Sequence, residues 1–163
     1  LTEQAISHYN TQAKTTPPLR EETDRQALIN GLKDGTIDAC NSSHEPFADH
    51  LKQVEFDLAP SGVIGLETAL MVVIEAISQK DPFSLIAEKM STNPHRILGL
   101  EAPSLKEGKL ADLVVINPEL NWTYEPMYGM SLSQNSPLGR HKFIGRPILT
   151  VSCGKIAMSE SFV

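Results

Sequence analysis

The sequence predicts a mixed α/β fold that ends in an all-β tail, and three observations carry this prediction. Ile37–Cys40 (IDAC) has the length of a short buried strand and runs into a long polar loop. Gly65–Ser78 carries apolar side chains at helical spacing on a face wide enough to be buried against a sheet. Farther along, Ala111–Asn117 has the pattern of a strand and Gly145–Met158 alternates as a terminal hairpin.

The pattern changes at about Leu100, so we divide the chain into an α/β part over residues 1–100 and a β tail over residues 101–163. With 40% hydrophobic and 21% charged residues, the composition is that of an ordinary globular protein. A net charge of −6 offers no basic surface for nucleic acid, and no apolar run reaches the roughly 18 residues of a membrane helix. Because no signal-peptide pattern opens the chain, we expect a cytoplasmic location.

The elements before the first strand are predicted from capping and helix-breaking residues. Thr2 is suited to cap a short helix that runs to about Tyr9. Thr15–Pro18 is expected to be extended, because the two prolines exclude a helix there. From Arg20 the pattern becomes amphipathic, which predicts a helix that ends at Gly35.

Two short helices are predicted between the apolar helix and the tail. Asp81 and Pro82 are suited to begin a helix that continues through Met90. Thr92–Pro94 begins another, which Gly99 ends. Residues 118–137 are rich in Asn, Ser and Pro and are predicted to be irregular.

The loop after the first strand holds the densest group of polar side chains. Because loops at strand ends are where α/β proteins place active sites, this loop is the first candidate for chemistry. Neither a metal-binding spacing nor a nucleophile with a separate base is evident in it, since adjacent residues such as Ser43 and His44 rarely point at each other. The group comprises two histidines, three acids and two serines, namely His44, His50, Glu45, Asp49, Asp57, Ser42 and Ser43.

Ser61 and Gly62 form a turn just ahead of the apolar helix. Unsatisfied N–H groups at a helix start, together with a close backbone approach, favour an anionic ligand. The same turn would also suit simple capping of the helix, without any ligand. The residues alone therefore predict an α/β domain with a candidate anion-binding turn, and they leave both readings of the turn open.

Six stretches in order resemble the C-terminal part of the dihydroorotases found in many bacteria, which belong to the amidohydrolase superfamily. The resemblance implies the C-terminal part of a (β/α)8 TIM barrel followed by strands of a β-sandwich. It also implies the reversible closure of carbamoyl aspartate to dihydroorotate in pyrimidine biosynthesis, with zinc polarising the amide and activating water. The stretches are Tyr9–Arg20, Gly31–Phe47, Leu58–Leu70, Ser91–Leu100, Leu105–Pro118 and Gly145–Met158.

The resemblance further implies which positions carry the reaction, and this sequence departs from the family at three of them. Ser43 occupies the position of the catalytic aspartate, and a hydroxyl cannot replace a carboxylate base. Phe47 replaces a histidine and Thr16 replaces an asparagine, both of which bind substrate in the family. Ser61 and Gly62 keep their substrate-binding role, since backbone groups bind there. The family's metal ligands belong to an earlier half, so we expect no metal site in this chain.

We therefore interpret the chain as part of a non-catalytic dihydroorotase homologue. In some bacteria such homologues are structural partners of aspartate carbamoyltransferase, and the resemblance implies that role here. An alternative is an active amidohydrolase that opens a cyclic amide with residues from an N-terminal half. In a third reading, an authentic dihydroorotase, His44 or Asp49 takes over from the missing aspartate.

The end of a barrel would expose apolar surface by itself, because parallel strands are normally covered on both faces. The chain also begins with Leu1, directly ahead of a helical pattern, as the later part of a longer protein would. We therefore expect a missing N-terminal half, or another copy of the chain, to cover that surface.

Overall fold

The computed structural model describes residues 1–77 and 82–159 of the chain. Helices occupy its first hundred residues and strands its tail, as the sequence predicts. A π-helical turn, Glu88–Thr92, joins the fourth helix to the fifth, and 3-10 turns lie at Glu3–Tyr9, Thr11–Ala13 and Pro126–Tyr128. The α-helices are α1 Glu22–Asp34, α2 Asp49–Lys52, α3 Ala69–Ile77, α4 Phe83–Ala87 and α5 Asn93–Ile97, and the strands are β1 Leu113–Thr123, β2 Lys142–Ser152 and β3 Lys155–Ser159.

The tail forms a three-stranded antiparallel sheet in the order β1-β2-β3. The predicted terminal hairpin is confirmed, with β2 and β3 joined at Cys153 and Gly154. The predicted strand Ala111–Asn117 is confirmed too, but β1 continues to Thr123 past an irregularity in its pairing with β2. That irregularity contains Pro118, which has no N–H to donate to the ladder.

The prediction of a strand at Ile37–Cys40 is wrong for this chain, because no strand is assigned there. The backbone N–H of Ile37 donates to Gly31, and that of Cys40 donates to Lys89. A parallel strand needs a neighbouring strand to complete its hydrogen bonds, and none runs beside this segment among the described residues. The described residues of the α/β part accordingly contain no parallel sheet, only an isolated parallel bridge between His44 and Val63.

The first predicted helix also differs from the structure. Glu3–Tyr9 is 3-10 helix interrupted by non-helical Ser7 and His8, rather than one regular helix. Helix α1 is confirmed, and Gly35 ends it with a left-handed φ of 88°. Within the described residues, every helix is too short or too polar to cross a membrane.

The later helices follow the predicted order. The apolar helix begins at Ala69 rather than Gly65, because residues 65–68 form a turn that bonds into the helix start. The predicted cap Asp81 lies outside the described residues. The helix expected to reach Met90 instead passes into the π-helical turn, and Gly99 follows α5 with a φ of 68°.

The core lies where α3 packs against the sheet. Met71 of α3 meets Tyr124 and Phe143, and all three side chains are buried. The total accessible surface is 11151 Å². A compact monomer of this mass exposes about 8,000 Å², so the chain exposes roughly 3,000 Å² more surface than such a monomer.

Candidate functional site

The polar loop lies alongside the Ser61–Gly62 turn. The N–H of Glu45 donates to the carbonyl of Val63 at 2.8 Å, and His44 forms a parallel bridge with the same residue. The local backbone has a left-handed φ of 45° at Ser43, whose N–H donates to Asn41 Oδ1 at 2.9 Å. Ser43 is exposed, and its hydroxyl forms no hydrogen bond with the residues that the structure describes.

His44 is held between the loop and the start of α3. Its Nδ1 accepts the backbone N–H groups of Gly65 and Leu66, each at 3.3 Å. One ring nitrogen of His44 is therefore used to satisfy N–H groups ahead of a helix. Asp49, the other residue considered as a substitute base, lies exposed at the start of α2.

Gly62 occupies a position that only glycine fits. Its φ is 139°, and an added Cβ would lie 2.6 Å from Cε2 of Phe47 as well as against the side chain of Glu45. The N–H of Gly62 donates to the carbonyl of Lys14 at 2.8 Å, so this N–H already has a partner within the chain. The binding roles of Ser61 and Gly62 stay predictions, since the contacts describe the turn without a ligand.

Phe47 lies in a cage that also holds a buried lysine. The ammonium of Lys52 lies 5.6 Å from the centre of the Phe47 ring and donates to the carbonyls of Thr11 at 3.0 Å and Pro60 at 2.8 Å. Burial lowers the pKa of Lys52 below its usual value, and the positive charge of Lys14 lowers it further. The partly buried ring of Phe47 thus packs against Lys52, whose ammonium is bonded to other parts of the same chain.

Lys14 links the segment that contains Thr16 to the same turn. Its ammonium donates to the carbonyls of Phe56 and Ala59, both at 2.7 Å, while its own carbonyl accepts from Gly62. Thr16 follows two residues later, exposed and before a cis peptide bond to Pro17. The structure therefore brings Phe47, Ser61 and Gly62 together and connects the Thr16 segment to them through Lys14.

Asn135 is the residue that sequence reasoning missed. It is fully buried, although it lies in the part of the tail that was predicted to be irregular. Its Oδ1 accepts the N–H of Phe47 at 3.0 Å, and its Nδ2 donates to the carbonyls of Glu45 at 2.9 Å and Gly62 at 3.2 Å. Its backbone carbonyl accepts the N–H of Ile64 at 2.9 Å. No local pattern in the sequence marks such a residue, because its partners lie more than 70 positions earlier.

A small cavity of about 200 Å³ lies beneath this region. Its lining is mainly apolar and offers a charged substrate few partners. Burial of Cys40 in this wall raises the pKa of its thiol. In residues 1–77 and 82–159, no group of three His, Cys, Asp or Glu side chains is arranged to hold a metal ion. The lining includes Cys40, Val63, Thr68, Val72, Met90 and Leu138.

Comparison with known proteins gives consistent relatives. No family model matches the sequence. The dihydroorotase of Syntrophotalea carbinolica is 40% identical over 161 residues, covering 96% of this chain and 37% of the relative. That of Geotalea daltonii is 41% identical over 157 residues, and that of Clostridioides difficile is 40% identical over 158 residues, with the same two coverages. The resemblance to dihydroorotases is therefore confirmed, and the chain spans about 37% of the length of these relatives.

Solved structures agree on the fold. A D-hydantoinase (dihydropyrimidinase) from Thermus sp. superposes with a TM-score of 0.86 at 22% identity, over 100% of this chain and 38% of that one. A dihydropyrimidinase from Brevibacillus agri gives a TM-score of 0.86 at 21% identity, over 98% and 37%. At these identities the likeness concerns the fold alone, and the chain matches the C-terminal parts of those proteins.

Proposed function

We propose that this chain is the C-terminal part of a dihydroorotase-like protein of pyrimidine metabolism that does not catalyse the family's reaction. The observation that carries the proposal is Ser43, which stands where the resemblance places the catalytic aspartate. A serine hydroxyl ionises far above neutral pH and cannot act as the carboxylate base that the reaction needs. The exposed Ser43 hydroxyl also has no hydrogen-bonded base among the described residues.

The neighbours of Ser43 support this proposal. The Nδ1 atom of His44 already accepts two backbone N–H groups, so taking a proton there would break both bonds. Asp49 lies six residues farther along, exposed at the start of a separate helix. The ring of Phe47 packs toward Gly62, at the position where the family places a substrate-binding histidine, and an aromatic ring offers a carboxylate no hydrogen bond.

The proposed role is structural, as a partner of aspartate carbamoyltransferase. The resemblance suggests this partner, and the roughly 3,000 Å² by which the exposed surface exceeds that of a compact monomer is larger than the about 800 Å² that a standard interface takes from each partner. We propose that the N-terminal half of the same protein, or another copy of the chain, covers part of this surface. The remainder would be available to the carbamoyltransferase.

The alternative is an active amidohydrolase that opens a cyclic amide. The observation that favours it is the identity of about 40% with proteins named dihydroorotase over 96% of this chain. In this alternative, residues outside this chain hold the metal and supply the base. Zinc would then polarise the amide carbonyl and activate water when bound.

The deciding experiment measures zinc content and dihydroorotate hydrolysis on the full-length protein, with Ser43→Asp beside it and Ser42→Asp as the matched control. We expect no turnover from the unchanged protein. Turnover gained by S43D and not by S42D would identify the missing carboxylate as the cause. Stoichiometric zinc with turnover in the unchanged protein would contradict the non-catalytic proposal and favour the alternative.

The partner is tested separately by sedimentation of the full-length protein with the aspartate carbamoyltransferase of the same organism. A complex of defined stoichiometry would support the structural role. Independent sedimentation of the two proteins would contradict that role, while leaving the conclusion about catalysis to the hydrolysis assay.

A further inference from the structure

Asn135 bridges the polar loop and the Ser61–Gly62 turn, two segments that also pair directly through the N–H of Glu45 and the carbonyl of Val63. The loop contributes the carbonyl of Glu45 and the N–H of Phe47, while the turn contributes the carbonyl of Gly62 and the N–H of Ile64. All four groups bond to Asn135, two through its amide nitrogen, one through its amide oxygen and one through its backbone carbonyl. A single tail residue thus takes the place of a neighbouring strand for both segments.

The burial of Asn135 makes these bonds specific. The residue is 0% exposed, so water cannot replace a lost partner. An asparagine side chain supplies both donor and acceptor, and these carbonyl and N–H groups demand both. A purely apolar residue of similar size would leave buried groups of the loop and the turn unpaired, at a cost for each group.

We propose that Asn135 is the positioning residue of the candidate site, by which the β tail fixes Phe47 relative to the Ser61–Gly62 turn. The inference does not depend on whether the protein catalyses a reaction. It assigns to the tail a direct role in the geometry of the site, acting through Phe47 rather than touching a ligand itself.

The first test follows backbone amide exchange in the full-length protein with Asn135→Ala, and with Asn121→Ala as the matched control. Asn121 is exposed and its side chain bonds only to Glu119 within the same strand. We expect exchange at Phe47, whose N–H loses the Oδ1 acceptor, to accelerate at least about tenfold in N135A, the effect of losing one buried hydrogen bond. Ile64 keeps its bond to the backbone carbonyl of residue 135. Amides paired between β1 and β2 should keep their protection.

The second test uses Asn135→Asp, which preserves the size and the acceptor of the side chain. The charged carboxylate faces two carbonyls and cannot donate to either, whereas the protonated form has one O–H and can donate to one of them. Burial raises the pKa of such a carboxyl, so the new side chain takes up a proton within the pH range in which the folded protein can be studied. In protein labelled with fluorophenylalanine, we expect the Phe47 signal of N135D to be displaced at pH 8 and to return toward the unchanged position at pH 5.

The unchanged protein, which contains the same His44 and Glu45, is recorded at both pH values as the reference. Acid rescue of the Phe47 signal together with local loss of protection would support the positioning role. Unchanged exchange at Phe47, or equal loss at every amide, would overturn it. So would a Phe47 signal in N135D that is displaced at both pH values.

Discussion

The Nδ1 atom of His44 lies 3.3 Å from the backbone nitrogen of Gly65 and accepts its N–H. The imidazole does here what a capping side chain does at the beginning of a helix, since it satisfies N–H groups that have no partner within the helix. This contact requires Nδ1 to be unprotonated. A histidine next to the expected catalytic position is thereby committed to holding the loop against the turn.

The close approach at Gly65 predicts that Gly65→Ala destabilises the fold. An added Cβ would lie 2.5 Å from the carbonyl oxygen of Ser42, so the backbone must shift. We expect a loss of about 1–3 kcal/mol in the free energy of unfolding, measured by urea denaturation. Gly139→Ala is the control, because its Cβ would meet Pro126 at an ordinary 3.8 Å. Equal stability of the two variants would argue against the tight approach.

The core between α3 and the sheet predicts a large effect for Phe143→Ala. Phe143 is 2% exposed and packs beside Met71 and Tyr124. Removing the ring should cost about 3–5 kcal/mol of unfolding free energy. The adjacent Ile144 is 65% exposed, so Ile144→Ala should cost less than about 1 kcal/mol. Similar losses in the two variants would mean that the sheet buries a different face.

Local patterns in the sequence predicted the strands of the tail, helix α1 and the order of the later helices, but not the interrupted first helix or the π-helical turn. Alternation marked the β2–β3 hairpin, and Gly35 marked the end of α1, because these signals depend on neighbouring residues. The segment Ile37–Cys40 shows where such reasoning stops. A strand is completed by its partners, and without a parallel neighbour its apolar run does not form a ladder.

The candidate site likewise has features that local sequence patterns predict and others that depend on distant residues. Its turn was predictable, since Gly62 has the left-handed φ that only glycine adopts readily. The hydrogen bonds of Lys14 and Lys52 were not predictable, because their ammonium groups donate to backbone carbonyls, which every residue carries. Asn135 was missed for the same reason, since its partners are backbone groups distant in the sequence.

The buried Lys52 predicts a specific dependence of stability on pH. Its pKa is lowered in the folded state by burial and by Lys14, whereas in the unfolded chain it returns to about 10.5. Between the lowered pKa and 10.5 the unfolded state binds more protons, so this residue's contribution to stability rises with pH. Lys52→Met should remove that rise and cost about 2 kcal/mol near neutrality, because the carbonyls of Thr11 and Pro60 lose their donor.

Urea denaturation from pH 7.5 to 10.5 measures this dependence as the difference between the unchanged protein and K52M. The difference is needed because burial raises the pKa values of Cys40 and Tyr124, and these two groups therefore lower the free energy of unfolding of both proteins as the pH rises. Lys106→Met, at an exposed position, is the control and should parallel the unchanged protein. If the difference in unfolding free energy between K52M and the unchanged protein did not vary with pH, the lowered pKa of Lys52 would be contradicted.

The ion pair between Glu88 and Lys89 predicts how the stability of the fold changes as the pH falls. The side chain of Lys89 is 2% exposed and its ammonium lies 3.0 Å from Glu88 Oε1, and this hydrogen bond holds the pKa of the Glu88 carboxyl below 4.5. The stabilisation is therefore complete above pH 4.5 and is lost as the pH falls through the lowered pKa, when the buried ammonium loses its partner. Glu88→Gln should reduce the urea midpoint at pH 6 and flatten its fall between pH 6 and pH 3.

Glu101→Gln breaks a pair with Lys109, which is 50% exposed, so solvent screening should leave its profile close to that of the unchanged protein. If E88Q instead follows the unchanged protein down to pH 3, the buried ammonium of Lys89 does not depend on Glu88.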